Sequence, residues 1–197
     1  MARFSWLAVF FTVLVWSAWY PKDMFVWFLE VFPALAGFVV LLMTRYAFPL
    51  TPLLYTLILL HMIVLMVGGH YTYAEVPLFD QVSEWMGWQR NNYDKLGHFM
   101  QGFVPVMVAR EIVLRKGVIL FPMWRNFFLL CFCLALSAFY ELVEWWVALA
   151  SGTGAEAFLG TQGYVWDTQS DMAFALCGAV LGLLCLSRRH DKQLALL

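Results

Sequence analysis

The stretch PLLYTLILLHMIVLMVGGH, from Pro52 to His70, decides the fold class of this chain. It contains no Asp, Glu, Lys or Arg, and an α-helix of this length spans roughly 28 Å. The hydrocarbon core of a bilayer is about 30 Å thick, so a spanning helix needs about 20 apolar residues. The stretch also lacks the period-two alternation of a barrel strand. It therefore predicts a transmembrane helix, because backbone polar groups in lipid must be hydrogen-bonded within the segment.

Five other stretches have the same character, and together they predict an all-α polytopic membrane protein built as a six-transmembrane-helix bundle. The predicted helices cover residues 4–20, 24–43, 52–70, 94–114, 126–149 and 168–187. No interdomain linker or repeat interrupts them, so residues 1–197 are predicted to form a single integral membrane domain.

Composition supports this class and excludes others. Hydrophobic residues make up 63% of the chain and charged residues 13%, whereas about a quarter of a soluble domain is charged. The net charge of -1 provides no basic surface for nucleic acid. Membrane lipids, or an amphiphile dissolved in them, are the expected partners.

The positions of Lys and Arg predict the orientation, since positive residues are retained on the cytoplasmic side of a membrane. Nine of the 12 fall in connections or ends on one side: Arg3, Arg45, Arg110, Arg115, Lys116, Arg125, Arg188, Arg189 and Lys192. Only Lys22, Arg90 and Lys95 fall on the other. Both termini are therefore predicted to be cytoplasmic.

Two outer connections have sequence patterns of their own. The third connection, Tyr71 to Tyr93, contains PLFDQVSEWMGW, in which apolar residues recur at helical spacing and predict a helix lying in the membrane interface. The connection from Ser151 to Trp166, SGTGAEAFLGTQGYVW, is rich in glycine and predicts turns, in a loop that can dip or act as a lid.

Ionisable residues near the outer helix ends are the candidate functional residues, because a charge in a membrane is costly unless it is paired or lines water. Seven share one predicted layer: His70, Asp94, His98, Glu141, Glu144, Asp167 and Asp171. Three helices each present a pair with a spacing of three or four residues, which places both members on one helix face.

Imidazole and carboxylate groups from facing helices are typical ligands of zinc and other divalent transition metals. His98, Glu141 and Asp171 are the first predicted ligands, and His70, Asp94 and Asp167 complete or orient them. The bound metal would activate water, with Glu144 transferring its proton and Lys95 stabilising a developing oxyanion or a phosphate. The sequence thus suggests a metal-dependent hydrolase acting on a lipid or another amphiphile.

Three other interpretations remain open at this point. Lys95 and Arg90 can neutralise some of the carboxylates as simple ion pairs, and Asp94 and Asp167 stand where N-cap residues occur. An ion- or proton-linked transporter also uses intramembrane acids and histidines. A non-catalytic accessory protein with an ion-paired outer layer is the third.

The same residues carry a resemblance to a known family. The runs YDKLGHFMQGF, ALSAFYELVEWW and AFLGTQGYVWDTQSDM resemble the uncharacterised bacterial inner-membrane family typified by YjdF, over most of the chain. The DKxxHF element alone is similar to VanZ-like membrane proteins. The resemblance implies a six-helix protein of a bacterial inner membrane, and implies nothing about its chemistry.

Overall fold

The computed structural model describes residues 3–151 and 162–197, which form seven helices and no strand. These are α1 (Arg3–Ala18), α2 (Met24–Thr44), α3 (Pro52–Tyr71), α4 (Pro77–Met86), α5 (Tyr93–Lys116), α6 (Pro122–Ser151) and α7 (Asp167–Leu194). All six apolar stretches are helical, and α4 is the helix predicted in the third connection. Most of the predicted lid, 152–161, lies outside the described residues.

Four of these helices, α2, α3, α6 and α7, are long and apolar enough to cross a membrane. The helix α1 is only 16 residues long. Helix α5 is long enough, but polar residues along it, including His98, Gln101, Arg110 and Glu111, lower its hydropathy. Several of them are buried, since α5 packs against α3, α6 and α7. The chain is thus an all-α membrane protein, and four of the six predicted spans are candidate membrane spans by length and composition.

Helix ends differ from the prediction where local chemistry outweighs hydropathy. The first helix ends at Ala18, before Tyr20, which has a positive φ of 50°. The last helix continues to Leu194 through a polar tail. That tail is held by the rest of the protein, because the backbone N–H of Leu53 donates to Gln193 Oε1 at 2.9 Å. Apolar length alone therefore underestimates α7.

The close packing of α5 on α7 positions the candidate site. A Cβ added to Gly102 would overlap the carbonyl oxygen of Ala175, and one added to Gly178 would overlap that of Phe99. Small residues allow two helix backbones to approach this closely. The polar first turns of both helices are consequently brought side by side.

The opposite end of α5 is fixed by a separate buried network around Glu111, which is fully buried. Its carboxylate accepts hydrogen bonds from the Thr51 hydroxyl at 2.8 Å and from Arg115 Nη1 at 2.9 Å. His190 Nε2 lies 2.9 Å from the same carboxylate, and Arg110 Nη1 lies 2.8 Å from His190 Nδ1. This network joins the start of α3 to α5 and α7.

Helix α4 is held against the start of α5. The Asn91 side-chain amide donates to Asp80 Oδ1 at 2.7 Å, and the Ser83 hydroxyl donates to the Arg90 carbonyl at 2.7 Å. Trp85 remains exposed. The connection between α4 and α5, which carries Arg90, is thereby ordered beside the candidate site.

Candidate functional site

The imidazole of His98 lies at the centre of the site and is buried. Its Nδ1 is 3.2 Å from Gln101 Oε1, and its Nε2 is 3.3 Å from Asp94 Oδ1 and 3.8 Å from Asp171 Oδ1. The amide oxygen of Gln101 is an acceptor, so it favours the tautomer with hydrogen on Nδ1. In that tautomer the lone pair of Nε2 points toward the two carboxylates.

Asp94, His98 and Asp171 form a group with metal-ligand geometry. One donor atom from each lies within 4.8 Å of the other two. Ligand atoms about 2.0–2.2 Å from a zinc ion at tetrahedral angles lie roughly 3.3–3.6 Å apart. The separations from Nε2, 3.3 and 3.8 Å, are close to that range, so a small movement of the side chains would suit a divalent cation.

Asp167, predicted as a ligand, instead pairs with two cations. Arg90 Nη1 and Lys95 Nζ each lie 2.6 Å from Asp167 Oδ1. Lys95 also contacts Asp171 Oδ1 at 2.6 Å and Asp94 Oδ2 at 3.6 Å. The ion pairs left open by the sequence are therefore present, and they stand beside the three-residue group.

The two glutamates of α6 take different positions around His98. Glu141 Oε1 is 3.8 Å from Nδ1, which is the nitrogen turned away from Asp94 and Asp171. The residue is 9% exposed, and this oxygen is buried with no hydrogen-bond partner among the described residues. Glu144 lines the inner cavity, a space of about 220 Å³ that His98 also borders. Glu141 is thus next to the group of Asp94, His98 and Asp171 rather than within it.

His70 is not brought to this group. Its Nδ1 is 3.0 Å from the Ser17 carbonyl oxygen, and its ring centroid is 4.6 Å from that of Trp16. These contacts place His70 between α1 and α3. Its contacts at that end of α3 are therefore with α1 and not with Asp94, His98 or Asp171.

Glu30 is not among the site residues that the sequence predicts, yet it borders the inner cavity with Asp94, Glu144 and His98. Glu30 is buried in α2 and its carboxylate accepts a hydrogen bond from the Tyr140 hydroxyl at 3.3 Å. A single acid in an otherwise apolar helix was the available signal.

Tyr73 borders the same cavity from the connection after α3. Burial raises the pKa of its hydroxyl well above the usual range. The hydroxyl therefore stays protonated and offers the cavity a neutral donor.

The charges of the site do not balance among the described residues. Six acidic side chains surround it: Glu30, Asp94, Glu141, Glu144, Asp167 and Asp171. The basic side chains in contact with them are Lys95 and Arg90, together with His98 when it is protonated. Buried carboxylates in excess must be protonated or must bind cations. The site is thus suited to a cation or to exchangeable protons.

Comparison with known proteins now gives the family. Residues 2–192 match the model of a family described as predicted membrane proteins, DUF2238. The chain belongs to this family. It is also 53% identical to the inner membrane protein YjdF of Escherichia coli (strain K12), over 92% of this chain and 87% of that protein. No solved structure matches the chain.

Membership in this family confirms the resemblance to the YjdF-type family. It also confirms that the chain is an integral membrane protein. The matched segment of the DUF2238 family includes every residue of the site. The likeness to VanZ-like proteins stays a prediction. The family description specifies no reaction, so the chemistry must be argued from the side chains.

Proposed function

We propose that the protein is a membrane-embedded, metal-dependent hydrolase in which Asp94, His98 and Asp171 bind one divalent transition metal, such as zinc. The observation that carries the proposal is the convergence of these three donor atoms within 4.8 Å. Two carboxylates and one imidazole leave a coordination position for water, as in catalytic zinc sites. The hydrogen bond to Gln101 is the outer contact that such a histidine normally has.

The surrounding residues have roles in this reaction. A bound metal lowers the pKa of its water toward 7 and so supplies a nucleophile at neutral pH. Glu144 borders the inner cavity with His98 and is the proposed base that accepts the proton. Lys95 contacts Asp171 and stabilises negative charge that develops on the substrate. The expected substrate is a lipid or another amphiphile.

The proposal includes a topology. We infer that α1 and α5 also cross the membrane, which gives six spans and places both termini in the cytoplasm. At about 1.5 Å per residue, the 24 residues of α5 extend roughly 36 Å, enough for the hydrocarbon core. The site then faces the outer side of a bacterial inner membrane.

Metal content of purified protein tests the proposal. Tag-free protein in detergent, exposed to zinc and then desalted, should hold about one equivalent by elemental mass spectrometry. His98→Ala and Asp171→Asn should each lose it. His70→Ala is the matched control, because His70 lies between α1 and α3 and should retain the metal. Folded native protein that binds no transition metal would rule out the proposal.

A proton-linked transporter is the second candidate, and the excess of buried acids favours it. The inner cavity extends the polar site to Glu30 on α2 and contains Tyr140. Under this alternative the carboxylates carry protons in place of a metal. Reconstituted protein would then conduct protons without zinc, and Glu30→Gln would abolish the current.

A further inference from the structure

A larger cavity, the lateral groove, lies beside the metal-ligand group and has a volume of about 670 Å³. Lys95 and Ser170 line it, as do Phe99 and Phe174. Each phenylalanine follows one of the polar residues by four positions, so it lies one helical turn, about 6 Å, farther along α5 or α7. On α5 and α7 the groove is therefore polar near the helix starts, here called its mouth, and apolar one turn farther along.

Beside the groove, the carboxylate oxygen of Asp167 lies between two cations that line the groove. Arg90 Nη1 and Lys95 Nζ both lie 2.6 Å from Asp167 Oδ1. Both cations also face the ring of Tyr164, at 5.4 and 5.9 Å from its centroid. Arg90 and Lys95 both line the groove. A phosphate oxygen entering the mouth would therefore meet the same two cations.

We propose that the lateral groove binds a membrane lipid with an anionic phosphate headgroup. The headgroup takes the place of the Asp167 carboxylate between Arg90 and Lys95, and an acyl chain lies along Phe99 and Phe174. Guanidinium suits phosphate because its N–H groups match two phosphate oxygens at once. A lipid fits better than a soluble phosphate, because the apolar end of the groove gains only from a hydrocarbon chain.

The exchange is local to Asp167, whose carboxylate takes up a proton when it leaves the two cations, because the site already has more acidic than basic groups. Lys95 Nζ also lies 2.6 Å from Asp171 Oδ1, so Lys95 keeps a carboxylate partner when the Asp167 side chain turns away. Binding requires no metal ion and therefore goes beyond the proposed hydrolysis. If hydrolysis also occurs, Lys95 connects the bound headgroup to the metal ligands, and the lipid is the substrate.

Binding to metal-free protein tests the inference. Protein treated with a chelator in a neutral detergent is titrated with dioctanoyl phosphatidylglycerol, with dioctanoylglycerol and with inorganic phosphate. We expect phosphatidylglycerol to bind at least about tenfold more tightly than either comparator, a difference of about 1.4 kcal/mol. Equal binding of the two lipids would overturn the headgroup contact. Equal binding of inorganic phosphate and phosphatidylglycerol would overturn the role of the acyl chain.

Two variants make the test specific. Asp167→Asn removes the competing charge, so its affinity for phosphatidylglycerol should rise about tenfold, whereas a purely structural ion pair predicts no gain. Phe174→Trp fills the groove and should lower affinity by a similar factor. Phe132→Trp on α6 is the control, since Phe132 is 47% exposed and Phe174 is 44% exposed.

The Phe174→Trp and Phe132→Trp pair decides the result even when Asp167→Asn does not fold. Equal affinities in these two variants would overturn the lipid site. Metal content is measured separately. It tests the hydrolase proposal whatever the lipid titrations show.

Discussion

The side-chain oxygen of Gln101 lies 3.2 Å from Nδ1 of His98, and this contact leaves Nε2 to face Asp94 and Asp171. Outer contacts of this kind usually change metal affinity by about 10- to 100-fold when removed. Gln101→Leu should therefore weaken zinc binding by about that factor without unfolding the protein. A competition titration with a chromogenic chelator measures the change.

Gln101→Glu is the matched control for this prediction. It keeps an oxygen acceptor near Nδ1 and should keep native or tighter affinity. Unchanged affinity in Gln101→Leu would mean that the ring is held by other contacts.

Packing between α5 and α7 gives a prediction about stability. Gly102→Ala would place a methyl group on the carbonyl of Ala175, and the backbones would have to separate. Overpacking of this kind typically costs about 1–3 kcal/mol. The midpoint of thermal unfolding in detergent should fall. Gly37→Ala is the control, because the nearest atom to its added Cβ is the flexible end of Met62, at 3.1 Å.

The effect of Gly102→Ala should also reach the metal. Separating α5 from α7 moves His98 away from Asp171, so zinc affinity should fall along with stability. A variant that loses stability but binds zinc normally would show that this packing does not position the ligands.

Much of the fold follows from the sequence because hydropathy and helix length are local properties. The six apolar stretches and the helix after Pro77 are all present. Hydropathy did not reveal how far α7 extends, because its tail is fixed by contacts such as that of Gln193 with Leu53. Nor does it show that α5 is the helix enclosed by α3, α6 and α7.

Less of the site could be predicted, because spacing along one helix says little about which side chains meet across helices. Asp94 and His98 are paired as expected at four residues apart. Asp167 shares a helix face with Asp171, yet Arg90 from the connection between α4 and α5 binds it. Only its predicted depth in the membrane points to His70 as a site residue. Depth does not distinguish the interface of α1 and α3 from the site.

The uneven distribution of Lys and Arg between the two sides predicts the topology of the chain. Lys and Arg favour one side by nine to three, so a reporter fused after Leu197 should be cytoplasmic. A cysteine introduced at Trp166, next to the start of α7, should react with a membrane-impermeant reagent added outside the cell. The converse labelling pattern would reverse the orientation and place the site on the cytoplasmic side.

The two glutamates of α6 allow a final test that separates metal binding from proton transfer. Glu141 Oε1 lies 3.8 Å from Nδ1 of His98, on the side away from Asp94 and Asp171, while Glu144 borders the inner cavity. Both variants, Glu141→Gln and Glu144→Gln, should therefore retain zinc, unlike Asp171→Asn. Glu141→Gln should change zinc affinity by less than about tenfold, since Glu141 contacts the imidazole of His98 and does not itself bind the metal.

Turnover should distinguish them. Glu144→Gln should lower hydrolysis of a phosphate-ester lipid by about 10²–10⁴-fold, the usual loss when a general base is removed, whereas Glu141→Gln should retain most activity. Zinc content and turnover measured on the same preparations decide between the roles. Loss of zinc from Glu141→Gln would make Glu141 a ligand, as the sequence first suggested. Full activity in Glu144→Gln would remove it as the base and leave Glu30, across the same cavity, as the next residue to replace.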